Sequence, residues 1–206
     1  ALLRHDVGNK VQIIDGYLDL IDDEFELPEK ARKYLQKARK GVAGSIDLID
    51  KVGILRRAGE EEIRKLDIGM MIRESVKEMW DLADESGFRL DIDCPEDVSP
   101  VKGGRLLEEV FSNILENSIK HSSGSLIAIR CKEDDQDVIC CIEDDGQGIP
   151  DDIKDNIFNK GYTSDKQRGT GLGLYLVKLL IERYDGYVEV KDSELGGARF
   201  DIHLKK

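Results

Sequence analysis

The sequence predicts an α+β protein in which a two-helix hairpin precedes a mixed sheet covered by helices on one face. Residues up to about 58 carry a helical hydrophobic period in two arms, and the later residues alternate strand and helix patterns. The chain has 206 residues, of which 40% are hydrophobic, enough for one modest core and a helical extension. We therefore predict two domains, residues 1–62 and residues 63–206.

The hairpin is predicted from apolar residues that recur at steps of three and four along two arms. These residues are Val7, Val11, Ile14, Leu18, Ile21 and Phe25 in the first arm and Leu35, Ala38, Val42, Ile49 and Val52 in the second. Pro28 lies in the predicted turn, residues 26–29. A hairpin of this size has too little core of its own, so we expect a second copy to complete a dimeric four-helix bundle.

The charges of the two arms are unevenly placed. The first arm ends acidic and the second begins basic, which is unfavourable for each helix dipole. Attraction between the arms would offset that cost and favour antiparallel docking. A merely solvated charged surface explains the same pattern equally well.

The second domain is predicted to begin after a short hinge at residues 59–62. Strand patterns cover residues 63–68, 88–92, 126–131, 138–143, 187–191 and 198–204. Helical patterns cover residues 70–85, 104–121 and 172–183. In the first of these helices the residues expected to face inward are Ile72, Val76, Met79 and Trp80.

Charge, hydropathy and cysteine spacing exclude several classes of protein. The formal net charge of −12 argues against a nucleic-acid partner, which is bound through clustered Lys and Arg. No stretch approaches the roughly 18 consecutive apolar residues of a spanning helix, so we expect no membrane contact in this fragment and a cytoplasmic location. The cysteines form no C-x-x-C pair and are expected to be reduced, with Cys140 and Cys141 facing opposite sides of a strand.

The helix face opposite the apolar positions of the first arm carries His5 and Asn9, beside Asp6. His5 lies about 160° around the helix from Val7, so it is expected to face water. A neutral imidazole has a nitrogen lone pair that can attack phosphorus. Asp6 could accept the proton of the other ring nitrogen, and Asn9 could position a water. A lone exposed histidine is usually incidental, and solvated polar residues remain the alternative.

A second cluster lies in NILENSIKHS and consists of Asn113, Asn117, Lys120 and His121. Its spacing places both asparagines and the lysine along one helix face. Asparagine is a poor choice for a helix interior, so two on one stripe require an explanation. Their amide oxygens could ligate Mg²⁺ without adding negative charge beside ATP phosphates. A polar outer helix face is the alternative.

The motif EDDGQGIPDDI follows a predicted strand. Gly146 and Gly148 let the backbone turn tightly and allow a flat ring to approach. The carboxylate of Asp144 could accept a hydrogen bond from the exocyclic amine of adenine and would repel the oxygen of guanine. This motif therefore favours ATP over GTP.

A polar loop then leads into a helix through GTGLGL. Gly169, Gly171 and Gly173 can expose backbone N–H groups to phosphate at the helix start. The loop carries cations that could close over a triphosphate as a mobile lid, namely Lys160, Lys166 and Arg168. Neither a G-x-G-x-x-G dinucleotide fingerprint in the right context nor a Walker A string is present.

Taken in order, these segments resemble the signature boxes of two-component sensor histidine kinases. RHDVGN resembles the phosphoacceptor box, NILENSIKH the N box, DDGQGIP the first glycine box, IFNKGY the F box and GTGLGL the second glycine box. Five boxes in this order and spacing are specific and cover nearly the whole chain. The resemblance implies an ATP-dependent protein histidine kinase, with a Bergerat-type ATP-binding domain like that of gyrase, Hsp90 and MutL on a dimerisation and phosphotransfer hairpin.

The resemblance also implies roles for individual residues. His5 would take the phosphoryl group from Mg-ATP and pass it to an aspartate of a response regulator, with Asp6 as general base and Asn9 orienting water in phosphatase action. Asn117, helped by Asn113, would hold Mg²⁺. The residues implied to bind the nucleotide are Asn113, Asn117, Lys120, His121, Asp144, Gly146, Gly148, Lys160, Tyr162, Arg168, Gly169, Thr170, Gly171, Leu172 and Gly173.

Two departures and two alternatives accompany this hypothesis. The F box often has a second aromatic residue where this chain has Gly161, and Tyr162 is the candidate replacement. The acceptor box begins close to residue 1, so we expect a larger parent sensor, with or without a membrane anchor. The alternatives are a GHKL-fold ATPase or serine kinase, and a degenerate kinase that acts as a dimeric docking module.

Overall fold

The first two elements form the predicted helical hairpin. The computed structural model describes residues 2–95, 97–163 and 170–206, with side chains from residue 7 onward. Helix α1 spans Leu2–Glu24 and helix α2 spans Glu29–Glu60. The predicted hinge is too long at its start, because residues 59 and 60 continue α2. Among the residues that the structure describes, no helix is long and apolar enough to cross a membrane.

Arg39 of α2 joins the two arms through ion pairs. Its guanidinium lies 2.7 Å from Asp19 Oδ1 and 3.4 Å from Asp22 Oδ2. The acidic end of α1 is therefore paired across the hairpin, as the charge pattern indicated, but through a residue the sequence did not single out. Because the helices are antiparallel and each rises about 1.5 Å per residue, this pairing sets residue 5 level with about residue 53 of α2.

The remaining chain contains all the predicted strands and long helices, with boundaries shifted by at most three residues. In order, these elements are β1 (Arg64–Leu66), α3 (Ile68–Glu85), β2 (Arg89–Asp93), β3 (Val101–Gly103), α4 (Leu107–His121), β4 (Leu126–Glu133), β5 (Asp137–Asp144), α5 (Asp151–Lys154), α6 (Gly173–Arg183), β6 (Tyr187–Asp192) and β7 (Ala198–Lys205). The sequence did not predict β3 or α5. Strand β3 pairs only with β1, in a two-stranded ribbon.

A five-stranded mixed sheet organises this part of the molecule. Its order is β2-β4-β5-β7-β6, with β2 parallel to β4 and the other neighbours antiparallel. One face is apolar and packs in a continuous core with α3, α4 and α6, whereas the other carries charged side chains such as Arg130 and Asp201. The predicted α+β architecture is therefore confirmed for this domain.

Trp80 does not face the core as predicted. Its residue is 55% exposed, whereas Ile72 and Val76 are buried. At 100° per residue, Trp80 lies about 80° around α3 from Ile72, at the edge of the apolar stripe. The stripe is completed instead by Ala83, which is buried.

The cysteines correct a second prediction. Cys94 and Cys131 form a disulfide with a Cα–Cα distance of 4.7 Å, although all four cysteines were expected to be reduced. The parallel register of β2 and β4 sets Asp93 opposite Arg130 and so brings the next residues together. Cys140 lies in the core and Cys141 accepts a hydrogen bond from Arg199 on the other face, which confirms their opposite orientations.

Glu61 fastens the end of α2 to the rest of the molecule. Its carboxylate accepts hydrogen bonds from the Leu106 backbone N–H at 2.8 Å and from the Tyr184 hydroxyl at 2.6 Å. Its carbonyl accepts another from Arg183 at 3.2 Å. Burial, and then the Glu61 carboxylate, raise the pKa of Tyr184. Since Ile54 of α2 is also buried in the common core, the last turns of α2 and the sheet domain are packed together.

We expect Tyr184→Phe to lower the free energy of unfolding by about 1.5–3 kcal/mol, the typical contribution of a hydrogen bond to a charged group. The hydroxyl is the only atom removed, so the core packing of the ring is retained. Urea denaturation followed by circular dichroism measures the change. Tyr187→Phe is the matched control because Tyr187 is exposed and lies outside the hairpin. Equal midpoints for the two variants would show that the Glu61 contact does not stabilise the fold.

Candidate functional site

A cleft of about 890 Å³ opens between α4, the turn after β5, the start of α6 and one face of α2. Most of the residues predicted to bind a nucleotide line it. These are Asn113, Asn117, Lys120, His121, Asp144, Gly148, Tyr162, Thr170, Gly171 and Gly173. Lys160 is exposed and outside the lining, Leu172 is buried at the start of α6, and Arg168 and Gly169 lie outside the described residues, as does Lys166.

Asp144 ends β5 with its side chain buried, the residue being 2% exposed. Its Oδ1 accepts hydrogen bonds from the backbone N–H groups of Gly146 at 3.1 Å and Ala198 at 3.2 Å. Its Oδ2 accepts one from the Ser118 hydroxyl at 3.1 Å. These donors fix the orientation of a carboxylate in the wall of the cleft. The sequence did not identify Ser118, because nothing in it shows that this side of α4 meets β5.

The two asparagines of α4 are oriented by hydrogen bonds from their amide nitrogens to the helix backbone. The amide nitrogen of Asn113 donates to the Glu109 carbonyl at 2.7 Å, and that of Asn117 donates to the Asn113 carbonyl at 2.8 Å. Their side-chain oxygens are therefore left to accept, and Asn113 Oδ1 lies 2.9 Å from the position that a Cβ on Gly173 would occupy. The predicted stripe and the start of α6 are thus in direct contact.

Oxygen ligands of this kind fit a magnesium ion bound together with phosphate groups. Within the described ranges there is no group of three or more His, Cys, Asp or Glu side chains that could hold a metal ion. The amide oxygens of Asn113 and Asn117 could hold an ion in this cleft together with phosphate oxygens and water. This donor set fits Mg²⁺, which usually keeps several waters and needs few protein ligands.

The turn after β5 is tied to the end of α4. Gln147 donates from its side chain to the His121 carbonyl at 3.0 Å and from its backbone to the Ser122 carbonyl at 2.9 Å. A Cβ on Gly146 would overlap Ser122, so this position requires glycine for packing even though Gly146 does not line the cleft. Lys120 is ion-paired with Glu116 and its side chain is 52% exposed at the rim.

The segment predicted as a lid is held at both ends. The backbone N–H of Gly161 donates to the Gly171 carbonyl at 3.0 Å. Both glycines have positive φ, +79° and +65°, and a side chain on Gly171 would overlap the backbone of Gly161. Residues 164–169 between them lie outside the described part of the chain.

The aromatic residues of the F box have separate positions. Phe158 is buried and meets Phe200 edge to face, with ring centroids 6.3 Å apart. Tyr162 is half-buried, packs against the core and lines the cleft. Gly161 itself is exposed with open space at its Cβ position, and Tyr162 next to it supplies an aromatic wall of the cleft.

One wall of the cleft belongs to the hairpin, which the sequence did not predict. Asp47 of α2 accepts a hydrogen bond from the Thr170 hydroxyl at 2.9 Å and lies 2.6 Å from Lys51 Nζ. The pair is visible in the sequence as an i, i+4 spacing, but its orientation toward the cleft depends on tertiary packing. His5 and Asp6 lie on the backbone of α1 with side chains outside the described set, and Asn9 is exposed on the same helix.

The cleft can therefore hold a molecule with a hydrogen-bond donor at one end and negative charge at the other. The Asp144 carboxylate can accept from the donor. At the other end, the N-terminus of α6 offers backbone N–H groups and the positive end of a helix dipole to an anion. The amide oxygens of Asn113 and Asn117 lie between these ends on α4.

The comparisons with known proteins agree with this geometry. Residues 103–206 match the family described as histidine kinase-, DNA gyrase B- and HSP90-like ATPases. The sensor protein KdpD of Clostridium acetobutylicum is 32% identical over 218 residues, covering 99% of this chain and 24% of KdpD. The sensor histidine kinase YcbM of Bacillus subtilis is 26% identical over 218 residues, covering 99% of this chain and 70% of YcbM. The chain thus spans only about a quarter of the length of KdpD.

The fold is also found among solved structures. The crystal structure of full-length ShkA in complex with AMPPNP superposes with a TM-score of 0.74 at 22% identity, over 100% of this chain and 44% of the ShkA chain. At this identity the likeness shows the fold alone. Membership of a family is shown instead by the match over residues 103–206. The chain belongs to the family of histidine kinase-, DNA gyrase B- and HSP90-like ATPases, and over nearly its whole length it is similar to sensor histidine kinases.

Proposed function

We propose that this chain transfers the γ-phosphoryl group of Mg-ATP to His5 and from there to an aspartate on the receiver domain of a response regulator. One observation carries the proposal. The buried carboxylate of Asp144 and the amide side chains of Asn113 and Asn117 line one cleft that ends at the N-terminus of α6. Full-length ShkA, with which this chain shares its fold, was crystallised with AMPPNP, an ATP analogue.

Asp144 is proposed to select adenine. Adenine presents an amine donor at the position where guanine presents an oxygen acceptor, so a fixed carboxylate attracts the first and repels the second. The orientation of the carboxylate is supported by three donors from three different elements, which limits its freedom to adapt to another base. Selectivity for ATP then comes from one preorganised acceptor.

Asn117 and Asn113 are proposed to hold Mg²⁺ with the phosphates. The ion would neutralise charge on the transferring phosphoryl group. The backbone at Gly171 and Gly173 binds the phosphate oxygens in this proposal, and Lys120 at the rim adds positive charge once it leaves Glu116. The residues Lys160, Lys166, Arg168 and Gly169 complete the proposed lid.

His5 is the proposed acceptor. One ring nitrogen attacks the γ-phosphorus, so an N–P bond forms while the P–O bond to ADP breaks and ADP leaves. Asp6 takes the proton of the other ring nitrogen and stabilises the charged ring. The antiparallel hairpin supports this assignment, because residue 5 is level with about residue 53 of α2, and α2 lines the cleft as far as Lys51.

A second copy of the chain is the proposed partner of the hairpin. Several large apolar side chains on α1, α2 and the turn between them are exposed in the single chain. They include Val7, Ile13, Ile14, Tyr17, Leu20, Ile21, Phe25, Tyr34, Leu48 and Val52. Burying such a surface against an equivalent one completes a four-helix bundle, which supports the proposed homodimer.

We expect the chain to become phosphorylated on His5 when it is incubated with Mg-ATP, and a His5→Gln variant to remain unlabelled. Mass spectrometry locates the phosphate, and brief acid treatment should release it, because phosphohistidine hydrolyses in acid. Label that survives acid and maps to a serine would favour the serine-kinase alternative. An ATP-binding chain that hydrolyses ATP without becoming labelled would favour the ATPase alternative.

Asp144→Ala is expected to weaken Mg-ATP binding by roughly 10- to 150-fold, the loss that follows when a hydrogen bond to a charged group is removed. Titration calorimetry on the full chain measures the affinity. Asp152→Ala is the control, because this exposed aspartate lies on α5 and outside the cleft lining. Thermal unfolding shows whether the variants fold, and a folded Asp144→Ala chain with undiminished affinity would rule out the adenine assignment.

Asn9→Ala is expected to leave phosphorylation of His5 unchanged and to slow dephosphorylation of the response regulator by up to about 100-fold, the cost of misplacing a reactant. The rate of phosphate loss from the phosphorylated regulator is measured with each variant. Gln36→Ala removes a comparable exposed amide from α2 and serves as the control. Equal phosphatase rates for both variants would exclude a water-positioning role for Asn9.

A further inference from the structure

Lys51 of α2 is a positively charged side chain enclosed at the cleft. Its side chain is 13% exposed, and its ammonium group lies 2.6 Å from Asp47 Oδ1. The other oxygen of Asp47 accepts a hydrogen bond from Thr170 at 2.9 Å. We propose that Lys51 is a further nucleotide-binding residue, which lends a positive charge from the hairpin to the phosphate end of the cleft. This inference rests on the proposed function, because it assumes that the cleft binds ATP.

The location of Lys51 follows from its connection to α6. Thr170 directly precedes Gly171, and two residues later Gly173 begins α6. This helix start is in contact with the amide oxygen of Asn113. The ammonium group is thus linked through Asp47 and one further hydrogen bond to the end of the cleft that favours anions.

The attraction between Lys51 and Asp47 is weaker than the attraction between Lys51 and a phosphate would be. The pair with Asp47 is a single i, i+4 ion pair, and the side chain of Asp47 is partly exposed, so the net attraction is small. A triphosphate offers several charged oxygens, and charge-assisted hydrogen bonds to them are stronger. The flexible four-carbon stem of lysine lets the ammonium group exchange one partner for the other without movement of α2.

The other described cations of the cleft have different surroundings. Lys120 is paired with Glu116 and is largely exposed at the rim, and Lys40 is exposed further along α2. Lys51 is more enclosed, where solvent screens its charge less. Lys51 would also connect the two parts of the molecule, because it belongs to the hairpin whereas the proposed phosphate site lies on α4 and α6.

Asp47 should have the opposite effect on ATP. Its carboxylate neutralises Lys51 in the nucleotide-free chain and would repel the phosphates. Removing the charge of Asp47 therefore frees Lys51 and removes a repulsion, whereas removing the charge of Lys51 leaves the repulsion uncompensated. If the pair were only a structural contact, either substitution would loosen α2 from the cleft and would change ATP affinity in the same direction.

The test compares single-charge variants of the full chain by calorimetric titration with Mg-ATP and Mg-ADP. Lys51→Met is expected to lower the affinity for ATP about tenfold, the loss of one charge-assisted contact. Asp47→Asn, which keeps an acceptor for Thr170, is expected to raise it about threefold. Lys51→Arg should restore most of the affinity. Lys37→Met, which removes an exposed charge from α2 outside the cleft, is the control and should change nothing.

Thermal unfolding of each variant shows whether loss of binding reflects loss of folding. Unchanged ATP affinity in a folded Lys51→Met chain would overturn the proposal. Equal losses in Lys51→Met and Asp47→Asn would also overturn it and assign the pair a structural role. If the unsubstituted chain binds no Mg-ATP at all, the proposed function itself fails, an outcome distinct from normal binding that is insensitive to Lys51.

Discussion

Burial of the Asp144 carboxylate is the constraint on which the site depends. A carboxylate taken out of water must find hydrogen-bond donors, and Asp144 finds them in a backbone turn, in β7 and in the Ser118 hydroxyl. To supply these donors, β5, β7 and α4 must meet at one point. The same demand explains why Gly197 is glycine, since a side chain there would overlap Asp144. The floor of the cleft is thus fixed before any ligand arrives.

The junction between the hairpin and the sheet domain limits how the two can move. A flexible hinge at residues 59–62 would let the catalytic part swing freely toward His5. Instead, α2 continues through Glu60 and Glu61 is hydrogen-bonded to Leu106 and Tyr184. Since Ile54 and Ala58 are also buried in the common core, rotation about the junction would break these contacts together. Bending within α2, before Ile54, would keep these contacts intact and would instead separate Asp47 from Thr170.

Local patterns in the sequence were sufficient to predict the long helices, every strand except β3 and the stripe of Asn113 and Asn117, because helix and strand periods are short-range properties. The contacts that the sequence did not reveal join residues far apart in the chain. Ser118 meets Asp144 because α4 lies on β5, and Cys94 meets Cys131 because β2 is parallel to β4 in one register. Thr170 and Asp47 are separated by 123 positions. Each of these depends on tertiary packing, which no local period encodes.

The net negative charge of the chain explains why neutral groups in the cleft suit a nucleotide better than carboxylates would. A protein with a formal net charge of −12 repels a polyanion at long range, so binding of a nucleotide depends on local groups. Carboxylate ligands for Mg²⁺ would add to that repulsion, whereas the neutral amide oxygens of Asn113 and Asn117, the proposed ligands, would not. The N-terminus of α6 attracts phosphate through backbone dipoles that carry no net charge. In such surroundings the proposed release of Lys51 from Asp47 would place a charge at the cleft that water screens less than the exposed charge of Lys120.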